Sequence, residues 1–256
     1  VSVAPTPTAA HTAYVLRIAD TCLILGQRLG EWIGHAPAIE EDLGLANIAL
    51  DLIGQARLLL SYAGEIEGRG RDEDALAFLR AEHEYLNLTL SEQPNGDFGQ
   101  TVVRQCLIDA WQVELYAALA QSRDERLAGI AAKAINEARY HLRYSSAWVV
   151  RLGDGTSESH VRVQHALDIL WPWTQELFSA DPIDGLMHQA GIGPDLASLR
   201  QAWLSQVDTV LADATLRRPP DVPQQRWGKL GHHGEHLGHL LSEMQYLQRA
   251  YPGAGW

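Results

Sequence analysis

The stretch NEARYHLRYS, residues 136–145, decides how the rest of the chain is read. It places Glu137, Tyr140, His141 and Tyr144 within eight positions of one another. Successive helical residues rotate by about 100°, so i, i+3, i+4 and i+7 share one face. On that rule the face of Glu137 in a helix over 124–152 also holds Ile130, Ala134, Tyr140, His141, Tyr144 and Trp148, with Arg139 and Arg143 opposite. Glu137 is therefore expected on the apolar, inward stripe. A Glu followed three residues later by a His is how a helix offers two ligands to a di-iron centre. Here the third residue after Glu137 is Tyr140, and His141 comes one step late.

The same period runs through the chain. It predicts helices over 11–34, 38–66, 73–92, 98–121, 124–152, 158–180, 195–213 and 231–251. The breaks carry turn chemistry at HAP (35–37), GRGRD (68–72), QPNGD (93–97) and GDGTS (153–157). Three prolines keep LRRPPDVPQQRWGKLG (216–231) out of a helix interior. No strand-like alternation competes. The expected architecture is all-α, an antiparallel four-helix bundle core with flanking helices. Residues 1–10 read as a disordered start and 11–256 as a single helical domain.

Composition narrows the class. The 256 residues carry a formal charge of -12, which argues against a nucleic-acid or anionic-membrane surface. No apolar run approaches the ~18 residues of a membrane span, and the start lacks a signal peptide's basic and apolar regions. A cytoplasmic protein is expected, trimmed of its initiator Met. Cys22 and Cys106 sit in apolar helical patterns, where free thiols behave as small hydrophobes. Lysine occurs only at Lys133 and Lys229, so arginine supplies nearly all the positive charge.

Two further helices point an acid inward. Asp109 shares its face with Val102, Cys106, Val113, Tyr116 and Ala120, and Asp51 with Asn47, Ile48, Gln55, Leu58 and Tyr62. In the first helix Asp20, Gln27 and Glu31 follow an edge that Arg17, Thr21 and Arg28 continue as a wet face. Buried carboxylates are costly unless paired, hydrogen-bonded or metal-bound. The Glu-x-x-His positions of a di-iron bundle fall on Asp51 with Gly54 and on Glu137 with Tyr140. Glycine has no ligand, and neutral tyrosine is a poor substitute for imidazole. The residues thus read as a buried polar network of Asp51, Gln55, Asp109, Glu137, Tyr140 and His141 over vestigial metal positions.

Other clusters compete. His232, His236, His239 and Glu243 have one-face helical spacing suited to zinc or iron, although i to i+11 spans ~16 Å and cannot serve one ion. AEHEY (81–85) reads as a solvated or interface face. Arg217, Arg218, Arg226 and Lys229 gather at the proline-rich loop, where a phosphate or an acidic partner would bind. Trp171 and Trp173 in DILWPWTQELF (168–178) mark either core or a partner surface.

The stretches LGEWIGHAPAIEEDLGLANIALDLIGQARLLLSYA (29–63), EQPNGDFGQTVVRQCLIDAW (92–111), KAINEARYHLRYSSAWVVRLGDGT (133–156) and GEHLGHLLSEMQYLQRAYPGAGW (234–256) resemble the C-type subunits of bacterial phenylacetyl-CoA epoxidases. The resemblance runs from about Tyr14 to Trp256. It implies a ferritin-like fold and a non-catalytic, structural role in aerobic phenylacetate degradation. It also implies a heterodimer with a homologous catalytic subunit that holds the di-iron site and epoxidises the aromatic ring with O2. A reductase with FAD and iron–sulfur passes electrons from NADPH, and further small subunits belong to the assembly. This chain is then expected to hold no cofactor and to be inactive alone. The rival is a self-sufficient metalloenzyme, either a variant di-iron oxidase using His141 or a mononuclear site around His236 and His239. An orphan homodimer is the third possibility.

Overall fold

The computed structural model describes residues 6–222 and 227–254. Arg226, one of the four cations grouped above, lies outside them. The helices are α1 (Pro7–Gly30), α2 (Ile39–Glu67), α3 (Glu73–Phe78), α4 (Thr89–Glu92), α5 (Phe98–Leu119), α6 (Glu125–Gly153), α7 (Ser157–Leu170), α8 (Pro182–Gln189), α9 (Leu196–Asp213), α10 (Glu235–Met244) and α11 (Tyr246–Ala250). Short 3-10 turns cover Glu82–Glu84, Trp171–Phe178 and Gly228–Leu230, and the described residues contain no strand. The all-α class expected from the period is the observed one.

Local chemistry sets the helix starts. Thr6, Asp72, Asp97, Asp124 and Thr156 each accept a hydrogen bond from the amide three residues on. Each such cap is worth about 1 kcal/mol. Thr6 is followed by Pro7, whose missing N–H costs nothing at the first helical position, so α1 begins at Pro7 rather than at residue 11.

The chain divides into two compact units where the sequence reading drew one domain. The first is built on residues 1–92 with 226–256, the second on 93–225. In the first, α1 and α2 pack along their length as an antiparallel hairpin. A Cβ on Gly26 would stand 3.3 Å from the carbonyl of Ala49 and 3.1 Å from the Ile53 side chain, so this glycine lets the two backbones approach. In the second, α5 and α6 form the corresponding hairpin, with α7 and α9 against it.

Two predicted helices are broken for identifiable reasons, and one predicted break holds a helix. The helix over 158–180 stops at Leu170 and tightens into a 3-10 turn, because Pro172 has no N–H to continue the ladder. The break over 180–195 contains α8, started by Asp181 and Pro182. The stretch 73–92 is helical only at its ends. Between them the amides of Leu86 and Leu88 donate to Asp20 Oδ2 (2.8 Å) and Thr21 Oγ1 (3.1 Å) on α1. A distant side chain thus outcompetes the local helical carbonyl.

Candidate functional site

Two buried polar systems stand out, one in each unit. The second unit's is built on α5, where every residue from Thr101 to Gln112 is buried. The helix is buried on every side there, and Thr101, Arg104, Gln105, Asp109 and Gln112 go inside with it. Asp109, 0% exposed, accepts from Gln105 Nε2 at 2.6 Å and from Ser145 Oγ on α6 at 2.7 Å. Burial raises its pKa to about 6, against the opposing pull of the His141 charge and of the Ser145 and Gln105 hydrogen bonds. Burial, and then the Asp109 charge, push the Cys106 thiol up to about 12, so it is not a nucleophile near neutral pH.

The α6 side of this cluster differs from its sequence reading by about one residue of rotation. The buried stripe is Leu127, Ala131, Ala134, Ile135, Ala138, His141, Ser145 and Val149. His141 is 0% exposed, whereas Tyr140 is 40% exposed. Glu137 is only half-buried, with Lys133 Nζ 3.9 Å from its carboxylate. The small residues Ala131, Ala134 and Ala138 define the seam because they let the backbones approach closely. The aromatic residues that suggested an inward face, Tyr140, Tyr144 and Trp148, lie on its flank or outside. Tyr140 therefore leaves the expected buried network, and Gln105 and Ser145, which the spacing did not single out, enter it.

In the first unit, Gln55 is buried and its Oε1 accepts from Cys22 Sγ at 3.6 Å. Asp51 is half-buried, and Gly54 is exposed with nothing within 4 Å of its Cβ position. The principal polar system of this unit was not anticipated. Arg17, Asp20, Thr21 and Arg28, read as a wet face, are all buried. Asp20 forms a bidentate pair with Arg80, one bond at 2.9 Å, and the Arg80 guanidinium lies 4.3 Å over the Tyr85 ring. Glu92, also 0% exposed, accepts from Gly234 N (2.6 Å) and Asn87 Nδ2 (3.1 Å) and pairs with His233 Nδ1 at 2.9 Å. His233 Nε2 meets the Tyr85 carbonyl at 2.8 Å. A carboxylate and a carbonyl are both acceptors, so this pair of contacts favours the protonated imidazole. Burial works against that charge, but the Glu92 hydrogen bond and charge outweigh it and raise the His233 pKa. Gln245 and Arg249 donate to the carbonyl of Arg80 (3.0 and 2.8 Å), and Arg28 to that of Glu92 (2.8 Å). Gly228 is required here, since a Cβ would stand 2.1 Å from the Asn87 carbonyl.

The remaining candidates do not converge. α10 starts at Glu235 after Gly234, so His232 precedes the helix and loses the expected register with His236. His239 and Glu243 do not share a buried face with His236: His236 is half-buried, and His239 and Glu243 are exposed. Among the described residues no three His, Cys, Asp or Glu side chains are grouped closely enough to hold a metal ion. The donor set thus does not fit a di-iron centre or a mononuclear one. Arg218 is engaged by Asp208 at 2.7 Å, Arg217 gives its backbone N–H to Gln164, and Lys229 is buried, so these do not form an open cationic patch. Of AEHEY, residues 82–84 are exposed as expected, but Tyr85 is 0% exposed. Trp171 is core: it stacks on Trp203 at 5.4 Å and donates to Asp221 Oδ1 at 3.0 Å.

Comparison with known proteins places this arrangement. The family model described as "Phenylacetic acid catabolic protein" matches residues 3–256. The chain is also 55% identical over 245 residues to the C subunit of the 1,2-phenylacetyl-CoA epoxidase of Escherichia coli (strain K12), covering 96% of this chain and 98% of that relative. The all-α class read from the helical period, and the ferritin-like fold implied by the whole-chain resemblance of the four quoted stretches, agree with both matches. The chain belongs to the phenylacetic acid catabolic protein family.

Proposed function

We propose that this chain is the structural, non-catalytic subunit of a 1,2-phenylacetyl-CoA epoxidase, and that it supports a homologous di-iron catalytic subunit. The observation that carries the non-catalytic part is the ligand deficit. Gly54 has no donor, Tyr140 is turned outward, and Asp109 commits both carboxylate oxygens to Gln105 and Ser145. In this reading iron belongs to the catalytic subunit, and FAD and iron–sulfur to the reductase that draws on NADPH.

The surface of α2 supports a permanent partner. Ile39, Leu43, Leu50, Ile53 and Leu58 are between 37% and 71% exposed on one long helix, and Ile33 before it is 59% exposed. Exposed Gly54 adds a small site at which a second helix can approach. By length and composition α2 could cross a membrane, but Leu45, Ile48, Leu52, Leu59 and Leu60 are buried within the chain, and Asp51 and Arg57 interrupt the exposed side. A half-buried helix of this kind suits an obligate contact between subunits, which typically buries ~2,000 Å² or more of largely apolar surface.

The test is expression with and without the catalytic subunit, with iron analysis and epoxidation of phenylacetyl-CoA measured on each. Alone, the chain is expected to hold sub-stoichiometric iron and to form no product. With its partner, the complex turns over, and Leu43→Glu/Leu50→Glu abolishes co-purification while the fold persists. Two irons per isolated chain with O2-dependent turnover would overturn the reading.

A further inference from the structure

Several surface arginines among the described residues are paired with carboxylates. Arg57 pairs with Glu73 (3.2 Å), Arg162 with Glu158 (2.6 Å), Arg200 with Asp221 (2.5 Å), and Arg218 with Asp208 (2.7 Å). The outer face of α6 departs from that pattern. Arg139, Arg143 and Arg151 are exposed and reach no carboxylate among the described residues. Arg143 lies 5.3 Å over the Tyr140 ring instead, and Arg151 lies 4.6 Å over Trp148. Lys133 adds a fourth cation, with Glu137 at the 3.9 Å limit of pairing. Arg139 and Arg143 are i,i+4 neighbours of like charge, an arrangement that weakens an isolated helix. All this sits in a chain whose formal charge is -12.

We propose that this α6 face docks an acidic face of another subunit of the epoxidase, distinct from the apolar contact on α2. The proposal rests on the reading of the chain as an epoxidase subunit. Guanidiniums held over aromatic rings are already ordered and keep their N–H edges outward, so less freedom is lost when a carboxylate is gripped by both edges. Arg and Tyr are among the residues that dominate binding energy at protein interfaces. From Arg139 to Arg151 the row is ~18 Å long on a convex helix. That geometry fits a line of carboxylates on a protein better than one phosphate group, which needs cations converging on a point. Such contacts add rate and specificity, and they weaken as salt rises.

The test uses the full chain carrying Arg139→Glu, Arg143→Glu and Arg151→Glu, checked for helicity and melting, beside the Lys version of the same three sites. Binding of the purified partner subunits is measured at about 50 mM and about 300 mM NaCl, where screening differs strongly. The wild type is expected to weaken at least about tenfold with salt. The Glu variant is expected to bind about 30-fold more weakly at low salt and to lose most of the salt dependence, while the Lys variant keeps much of both. Binding by the Glu variant equal to wild type at both salts would sink the α6 proposal and leave the subunit assignment standing. Absence of wild-type binding to any partner overturns both. Free coenzyme A displacing the partners from the wild type but not from the Glu variant would reassign the face to phosphate. Self-association of the wild type that the Glu variant loses would reassign it to a second copy.

Discussion

The two units bury carboxylates equally deeply and treat them in opposite ways. In the first, Asp20 meets Arg80 and Glu92 meets His233, and each also accepts from a backbone amide. In the second, Asp109 has two hydrogen-bond donors, with the His141 charge as a further help, and its pKa still rises to about 6. Equal burial thus comes with unlike partners. What matters is whether the fold brings a cation to the carboxylate. The paired system ties α1 to the irregular 79–92 segment and to the C-terminal residues, a stapling role. The Asp109 system lies between two long helices, α5 and α6.

Mutation can break this contrast, with the largest effect expected at Arg80. Arg80→Leu leaves Asp20 buried without its cation and should cost about 3–5 kcal/mol in urea unfolding. Adding Asp20→Asn should recover a large part of that loss. A single variant within about 1 kcal/mol of wild type would show that the pair is not a staple.

The Asp109 side predicts a gain. A raised carboxylate pKa means that the stability linked to this group is complete below pH 3.8 and declines as pH climbs through about 6. Each tenfold change in proton affinity corresponds to about 1.4 kcal/mol, so the charged form costs on the order of 3 kcal/mol. Asp109→Asn should therefore gain about 2–3 kcal/mol relative to wild type as pH rises from about 4 to about 7. A pH-independent difference between the two proteins would remove the contrast.

For His233 the shift is also upward, so its contribution is fully present below the ordinary imidazole value of 6.5 and is lost as pH rises through the higher folded value. Glu92→Gln should flatten that decline and cost about 1–3 kcal/mol below it. Chemical-shift titration of the His233 ring in both proteins reads the pKa directly.

The smallest expected effect concerns the rotation of α6. Tyr140→Ala should change stability by about 0.5 kcal/mol, whereas His141→Ala should cost about 2 kcal/mol or more. Urea unfolding of the two variants ranks them, and the reverse order would restore the inward face first read from the spacing.

The opening stretch shows where sequence reading stops. Period, caps and breaks located the long helices, because they depend on neighbours within a few residues. Asp124 capping Leu127 and Gly68 ending α2 at a φ of 68° are local events. Asp109 is inside because α5 is buried on every side from Thr101 to Gln112, which leaves no outward face there. α6 has an apolar arc wide enough to permit two facings one residue apart, and only packing of Ala131, Ala134 and Ala138 selects His141 over Tyr140. Asp20 and Arg28 look like a wet face until partners arrive: Arg80 is 60 residues from Asp20, and His233 is 141 residues from Glu92. The sequence by itself determined the helical class and the extent of most long helices, since those follow from residue type and local spacing. Tertiary structure alone decided which polar groups are buried and which partners they meet, because a buried charge is tolerable only where a distant part of the chain supplies its partner.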